Sequence, residues 1–296
     1  MLSQTIHEVK ASVGQVYLLP PGERVLRLAV MSGMSRDITA PWARAGLEAP
    51  IPVSDAVRER RLVWVGGREE MARRYPKVAL VLPYPFTVAA SPITTGTRTW
   101  GGLVLLWPGS HPPQLALEEC HTIRAWCLRL ALLLQQASDR GNPVLPGFQP
   151  RVLPGLRTPS LALDEARAGA EFAERLPEGC CALNLEGRIT YVTATAARLV
   201  RVDRTHLLGA RPCDALPWLD NLLFEDRYRA AVVSGQPTFF TALCPPDQRL
   251  SFHLYPDASG LSIRITTSAA PTRHDPDVPA TPQPPPPTIR SQPVSL

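Results

Sequence analysis

The sequence predicts an α+β protein of two domains, each an antiparallel sheet flanked by helices. Three observations point there. The chain has 296 residues, 45% of them hydrophobic and 19% charged, which is enough for two cores of ordinary domain size. Both halves read as strands, then helices, then strands again, the order of an antiparallel α+β layer. Of the 33 prolines, five fall in residues 139–163 between the two halves and nine in residues 269–296 after them. The expected division is a first domain at residues 1–138, a linker at 139–163, a second domain at 164–268 and an unstructured tail at 269–296.

In the first half a short helix is expected at residues 3–12, followed by strands at 14–19 and 25–30 around the turn Pro20-Pro21-Gly22-Glu23. A helix is expected at 54–60, with Ser54 as its cap and Asp55 in the first turn, and then a strand at 62–65. Strands at 87–93 and 99–107 follow. The second is apolar at nearly every position after Gly102, so both its faces should be covered.

Residues 115–137 give the clearest helical pattern. Cys120, Ile123, Cys127, Leu130, Leu134 and Ala137 recur at spacings of 3 and 4, which sets them on one stripe. One face of this helix can pack on the domain's own sheet while the other is free for a partner helix; the stripe is the candidate homodimer face, and Leu128, Leu132 and Leu133 add apolar surface beyond it.

Residues 141–159 hold Pro143, Pro146, Pro150, Pro154 and Pro159 with little periodicity, the pattern of an extended linker. Beyond it, a helix is expected at 164–175 and strands at 180–185 and 188–192 joined by a Glu186-Gly187 hairpin. Helices at 195–200 and 224–234 follow. Two closing strands alternate cleanly, with Leu250, Phe252 and Leu254 on one face and Leu261, Ile263 and Ile265 on one face. Residues 271–296 carry nine prolines and little apolar bulk, too little to offset the entropy of ordering them.

The net charge is +5, with the excess on the first domain. Its densest basic cluster, Arg58, Arg60 and Arg61, is interrupted by Glu59, which reads as a solvated helix end and argues against a nucleic-acid footprint. The apolar runs are far shorter than the roughly 20 residues a membrane span needs. No signal peptide is legible at the N-terminus, so a cytoplasmic setting with reduced cysteines is expected.

The sequence lacks the phosphate-loop, nucleophile-elbow and paired-histidine zinc motifs, so no catalytic residue, metal site or cofactor is assigned. Cys180 and Cys181 are adjacent on a strand and point to opposite faces, which makes joint ligation or a redox pair a poor fit. Cys120 and His121 have no further ligands at metal spacing. His253 should point away from the apolar face with Ser251 and Tyr255, and His206 should lie at the surface. Glu225 and Asp226 suit the positive end of a helix dipole.

The stretches LPEGCCALNLEGRITYVTATAARLV, HLLGARPCDALPW, FEDRYRAAVVSGQPTFF and LSFHLYPDASGLSIRIT resemble, in order, the successive segments of a PAS domain over about residues 168–268. Thr193 stands where many members carry asparagine, and Arg264-Ile265-Thr266 where they carry Asp-Ile-Thr. The words APIPVSDAVRERRLVWV, AASPITTGTRTWGGLVLLWP and LEECHTIRAWCLRLALLLQQA resemble a GAF domain over residues 1–138. The pair resembles the sensory half of actinobacterial serine/threonine phosphatases of the sporulation-stage-II-E type, without their phosphatase domain. The resemblance implies a non-catalytic sensor that binds a small ligand or a protein partner and relays the change through helices. The alternatives are a regulatory part of such a phosphatase and an adaptor working through the PxxP spacings of the tail, Pro282 with Pro285 and Pro284 with Pro287.

Overall fold

The computed structural model describes residues 2–153, 163–219, 221–257 and 259–267. The expected tail and most of the second part of the expected linker, residues 154–162, lie outside the described residues.

The first sheet is built from β1 (Val13–Leu18), β2 (Val25–Ser32), β3 (Arg44–Gly46), β4 (Val63–Val65), β5 (Phe86–Thr95), β6 (Arg98–Pro108) and β7 (Arg151–Leu153). Its order is β3-β2-β1-β6-β5-β4, antiparallel throughout, with β7 added in parallel to β2. The linker is therefore docked onto the sheet at residues 151–153, and Arg36 Nε donates to Pro150 O at 3.1 Å just before it.

Helices cover both faces. α1 (Leu2–Glu8) and α6 (Leu117–Asp139) pack on the side of Val16, Leu18, Leu103, Leu105 and Trp107. The opposite side, with Tyr17, Leu26, Val88, Val104 and Leu106, is covered by α2 (Arg36–Thr39), a 3-10 turn (Ala40–Trp42), α3 (Pro52–Glu59), α4 (Arg68–Arg74) and α5 (Pro76–Val81). This double cover explains why β6 is buried from Trp100 through Trp107, as its unbroken apolar run implied. Gly14 lets α1 close down, since a Cβ there would meet Ile6 Cδ1 at 2.7 Å.

The α3 start differs from the expectation. Ile51 is the N-cap and Pro52 opens the helix, because proline's fixed φ and missing N–H suit that position. Ser54 instead lies inside the helix, fully buried, and its hydroxyl donates to Gly46 O at 2.8 Å.

The second sheet runs β10-β11-β12-β8-β9, all antiparallel: β8 (Gly179–Asn184), β9 (Ile189–Val192), β10 (Thr238–Cys244), β11 (Gln248–Pro256) and β12 (Gly260–Thr267). α7 (Leu163–Glu174) precedes it. α8 (Ala194–Val200), α9 (Arg204–Leu207), α10 (Pro212–Ala215) and α11 (Asn221–Ser234) cover one face, onto which Leu250, Phe252, Leu254, Leu261, Ile263 and Ile265 all point. Thr193 does two jobs: its Oγ1 accepts from Cys180 N at 3.0 Å and from Ala196 N at 3.2 Å, tying β8 to the start of α8.

α6 corrects the expected dimer face. Ile123, Cys127 and Leu134 are buried against the chain's own first sheet, and Cys120, Leu130 and Ala137 flank them half-buried. The stripe is the inward face, because the sheet is the nearest apolar surface to a helix that follows β6 after a short loop. Leu128, Leu132 and Leu133, at 53%, 54% and 45% exposure, form the outward one.

Candidate functional site

Two features stand out, and they share a wall. The first is a cavity of about 60 Å³ between the first sheet and the helices α3, α4 and α5. Gln15 and Tyr17 enter it from β1, Val104 and Leu106 from β6, Met34 from the segment after β2, and Trp42 from the 3-10 turn. Alternation on β1 explains the polar pair: residues 13, 15 and 17 share the face away from α1.

Tyr17 Oη donates to Gln15 Oε1 at 3.1 Å, and burial pushes the Tyr17 phenol up from its ordinary value. Trp42 Nε1–H is buried without a partner among the described residues. A buried donor left unpaired is costly, so it marks either strain or a missing acceptor. No acidic or basic side chain lines this cavity.

The second feature is α11, which belongs to two cores. Phe224 and Ala231 pack into the second sheet's core, whereas Val232 and Val233 are buried in the core of the first. Tyr228 touches both. Around the helix, Tyr228 lines one cleft with Ser35, Arg211 pairs with Asp37 at 2.7 Å, and Tyr84 Oη donates to Asp226 at 3.0 Å. Gly235, at φ +62°, passes so close to β6 that a Cβ would meet Pro108 Cγ at 2.8 Å. Residues 34–37 are the shared wall: Met34 faces the cavity, while Ser35 and Asp37 face a cleft of about 170 Å³ beside α11.

The other residues singled out in the sequence do not converge. Cys180 lies on the outer face of the second sheet and Cys181 in its core, where burial raises the thiol to about 12. His253 stacks beside Phe239 on that outer face, with ring centroids 6.1 Å apart. His206 lies in the last turn of the short α9, and Glu225 and Asp226 lie in the first half of α11. Among the described residues, no group of three or more His, Cys, Asp or Glu is placed to hold a metal. No described helix is long and apolar enough to cross a membrane.

Sequence reasoning missed Trp42, Met34 and residues 35–37, which fall in a stretch given no element. It did not single out Gln15 and Tyr17 either, although two polar-headed side chains on the buried face of a strand were a readable signal.

Residues 173–269 match the family model described as the PAS fold. A search of curated protein sequences returned no match. Among solved structures, the chain is similar to a GAF domain/HD domain protein from Geobacter sulfurreducens, with 17% identity over 46% of this chain and 89% of that one and a TM-score of 0.41. It is also similar to the GAF-B domain of DevS from Mycobacterium smegmatis, with 14% identity over 47% of this chain and 91% of that one and a TM-score of 0.36. The photoactive yellow protein domain of the sensor histidine kinase Ppr from Rhodospirillum centenum gives 21% identity over 33% of this chain and 90% of that one, with a TM-score of 0.28.

Proposed function

We propose that the chain is a sensory, regulatory protein that makes and breaks no bonds: a GAF-like half at residues 1–138 receives a signal and a PAS-like half at 164–268 passes it on. The observation that carries this reading is the shared wall at residues 34–37. A ligand that fills the cavity presses on Met34, and of the next residues Ser35 lines a cleft with Tyr228 of the second half and Asp37 pairs with its Arg211. The ligand shifts the protein only as far as it favours one arrangement of that wall over another.

The output is a protein contact. The outward face of α6, with Leu128, Leu132 and Leu133, suits a second copy of the chain or an output protein. Because the sequence resembles the sensory half of sporulation-stage-II-E-type phosphatases, a metal-dependent phosphatase domain is the first output partner to test.

Hydrogen exchange on the intact chain, with and without a cavity ligand found by methyl NMR, tests the reading. Slowed exchange is expected both around the cavity and at residues 33–38 and 228–233. Exchange that slows only at the cavity would refute the relay. Metal-dependent turnover of an aryl phosphate by the purified chain would refute the non-catalytic assignment.

A further inference from the structure

We infer that the cavity beneath the first sheet takes a small, uncharged, mainly hydrocarbon ligand with one hydrogen-bond acceptor, met by Trp42 Nε1–H. The inference rests on the sensing role proposed above and adds the chemistry of the ligand. Its walls are aliphatic, aromatic and thioether side chains, and no ionised group is available to replace the hydration of a charged ligand. Nucleotides and carboxylates are therefore the wrong class.

Among the polar side chains along the wall, the Tyr17 hydroxyl already donates to Gln15 Oε1, whereas the Trp42 N–H is buried and unpaired among the described residues. Trp42 itself lines the cavity. A volume of about 60 Å³ holds about four to six water-sized groups, which limits the ligand to a comparable number of heavy atoms. Met34 and Met71 give the site walls that adapt to shape.

The test uses the intact chain carrying methyl-labelled methionine, titrated with butanone, with the alkene in which a CH2 group replaces the butanone oxygen, and with butyrate. Met34 and Met71 are the reporters. Both neutral probes should shift them saturably, butanone binding about five-fold tighter because it gains a hydrogen bond, and butyrate should leave them unmoved. In Trp42→Phe the alkene should bind as before and the five-fold preference should vanish. In the unaltered protein the Trp42 indole N–H proton should move with butanone and stay with the alkene, which reads the same contact should the variant fail to fold.

Butyrate binding as well as butanone, a preference that survives Trp42→Phe, or an indole proton that ignores butanone would overturn the inference, as would a failure of both neutral probes to shift either methionine. The sensing role fails separately: butanone that binds as expected while residues 33–38 and Tyr228 stay unchanged leaves the ligand class standing and removes the relay.

Discussion

The two sheets differ in how they are covered, and the cover decides what each can do. The first is enclosed on both faces, by α1 with α6 and by α2 through α5, and the gap it leaves on the second of these faces is the 60 Å³ cavity. The second is covered by α8 through α11 on one face, where an apolar gap of about 30 Å³ lies beneath α8, α9 and α10. Among the described residues its other face is exposed over β10 to β12, where Phe239 at 70% exposure, His253 and Arg264 stand in one cross-strand row that ends at the half-buried Cys180. Double cover creates room to enclose a small molecule, and single cover creates a surface to be touched.

The hardest way to break this comparison is to charge the two faces of α6. Ile123→Glu should abolish cooperative folding of the first sheet, because it places a carboxylate in a fully buried site, while Leu132→Glu should stay within about 0.5 kcal/mol of the original in urea unfolding followed by circular dichroism. A normal fold for Ile123→Glu would mean that the helix faces are assigned the wrong way round.

The second sheet can be probed in the same manner. Phe252→Ala should cost about 3–5 kcal/mol, since its ring is buried and stacked on Phe240 at 4.8 Å, whereas Phe239→Ala on the open face should cost under about 1 kcal/mol. Equal costs would show that the outer face is covered. Thr193→Val should cost about 1–3 kcal/mol, because the part-buried Cys180 N–H and the buried α8 terminus both lose their acceptor; a neutral outcome in the same unfolding assay would remove Thr193 from that role.

Alkaline pH probes the cover of the first sheet through its tyrosines. Burial pushes Tyr75 and Tyr84 up to about 12, with Asp55 and Asp226 as their hydrogen-bond partners, above an unfolded value near 10. A raised phenol pKa means the folded state holds the proton more tightly, so the stability it contributes is whole below pH 10 and falls as pH rises through 12. Chemical unfolding midpoints measured from pH 9 to 12 should therefore fall with rising pH, and Tyr75→Phe should flatten the fall. The smallest effect belongs to the exposed Arg211 and Asp37 pair, for which a double-mutant cycle should give about 0.2–1 kcal/mol.

Much of this architecture was readable from local pattern, and the remainder depended on contacts no local window contains. β5, β6, β11 and β12 announced themselves by alternation or by an unbroken apolar run, and α6 by its stripe. Periodicity finds a stripe but does not say what lies against it, which is why Ile123 and Cys127 were expected at a dimer face. The pieces α2, β3, α4 and α5 are too short to carry a period and are held by tertiary bonds: Arg74, for example, reaches Glu70 and the Trp64 carbonyl. Ser54 looked like a cap by residue type, and Pro52 displaced it. The site is assembled from β1, β6, residue 34 and Trp42, so its polar members were visible singly and their convergence was not.

The central claim is that α11 belongs mechanically to both sheets. Val233→Ala, at a fully buried position of the first core, tests it most directly by hydrogen exchange across the whole chain. Faster exchange is expected in β1, β2 and β6 as well as in α11 and β10. Faster exchange confined to residues 221–267 would contradict the claim.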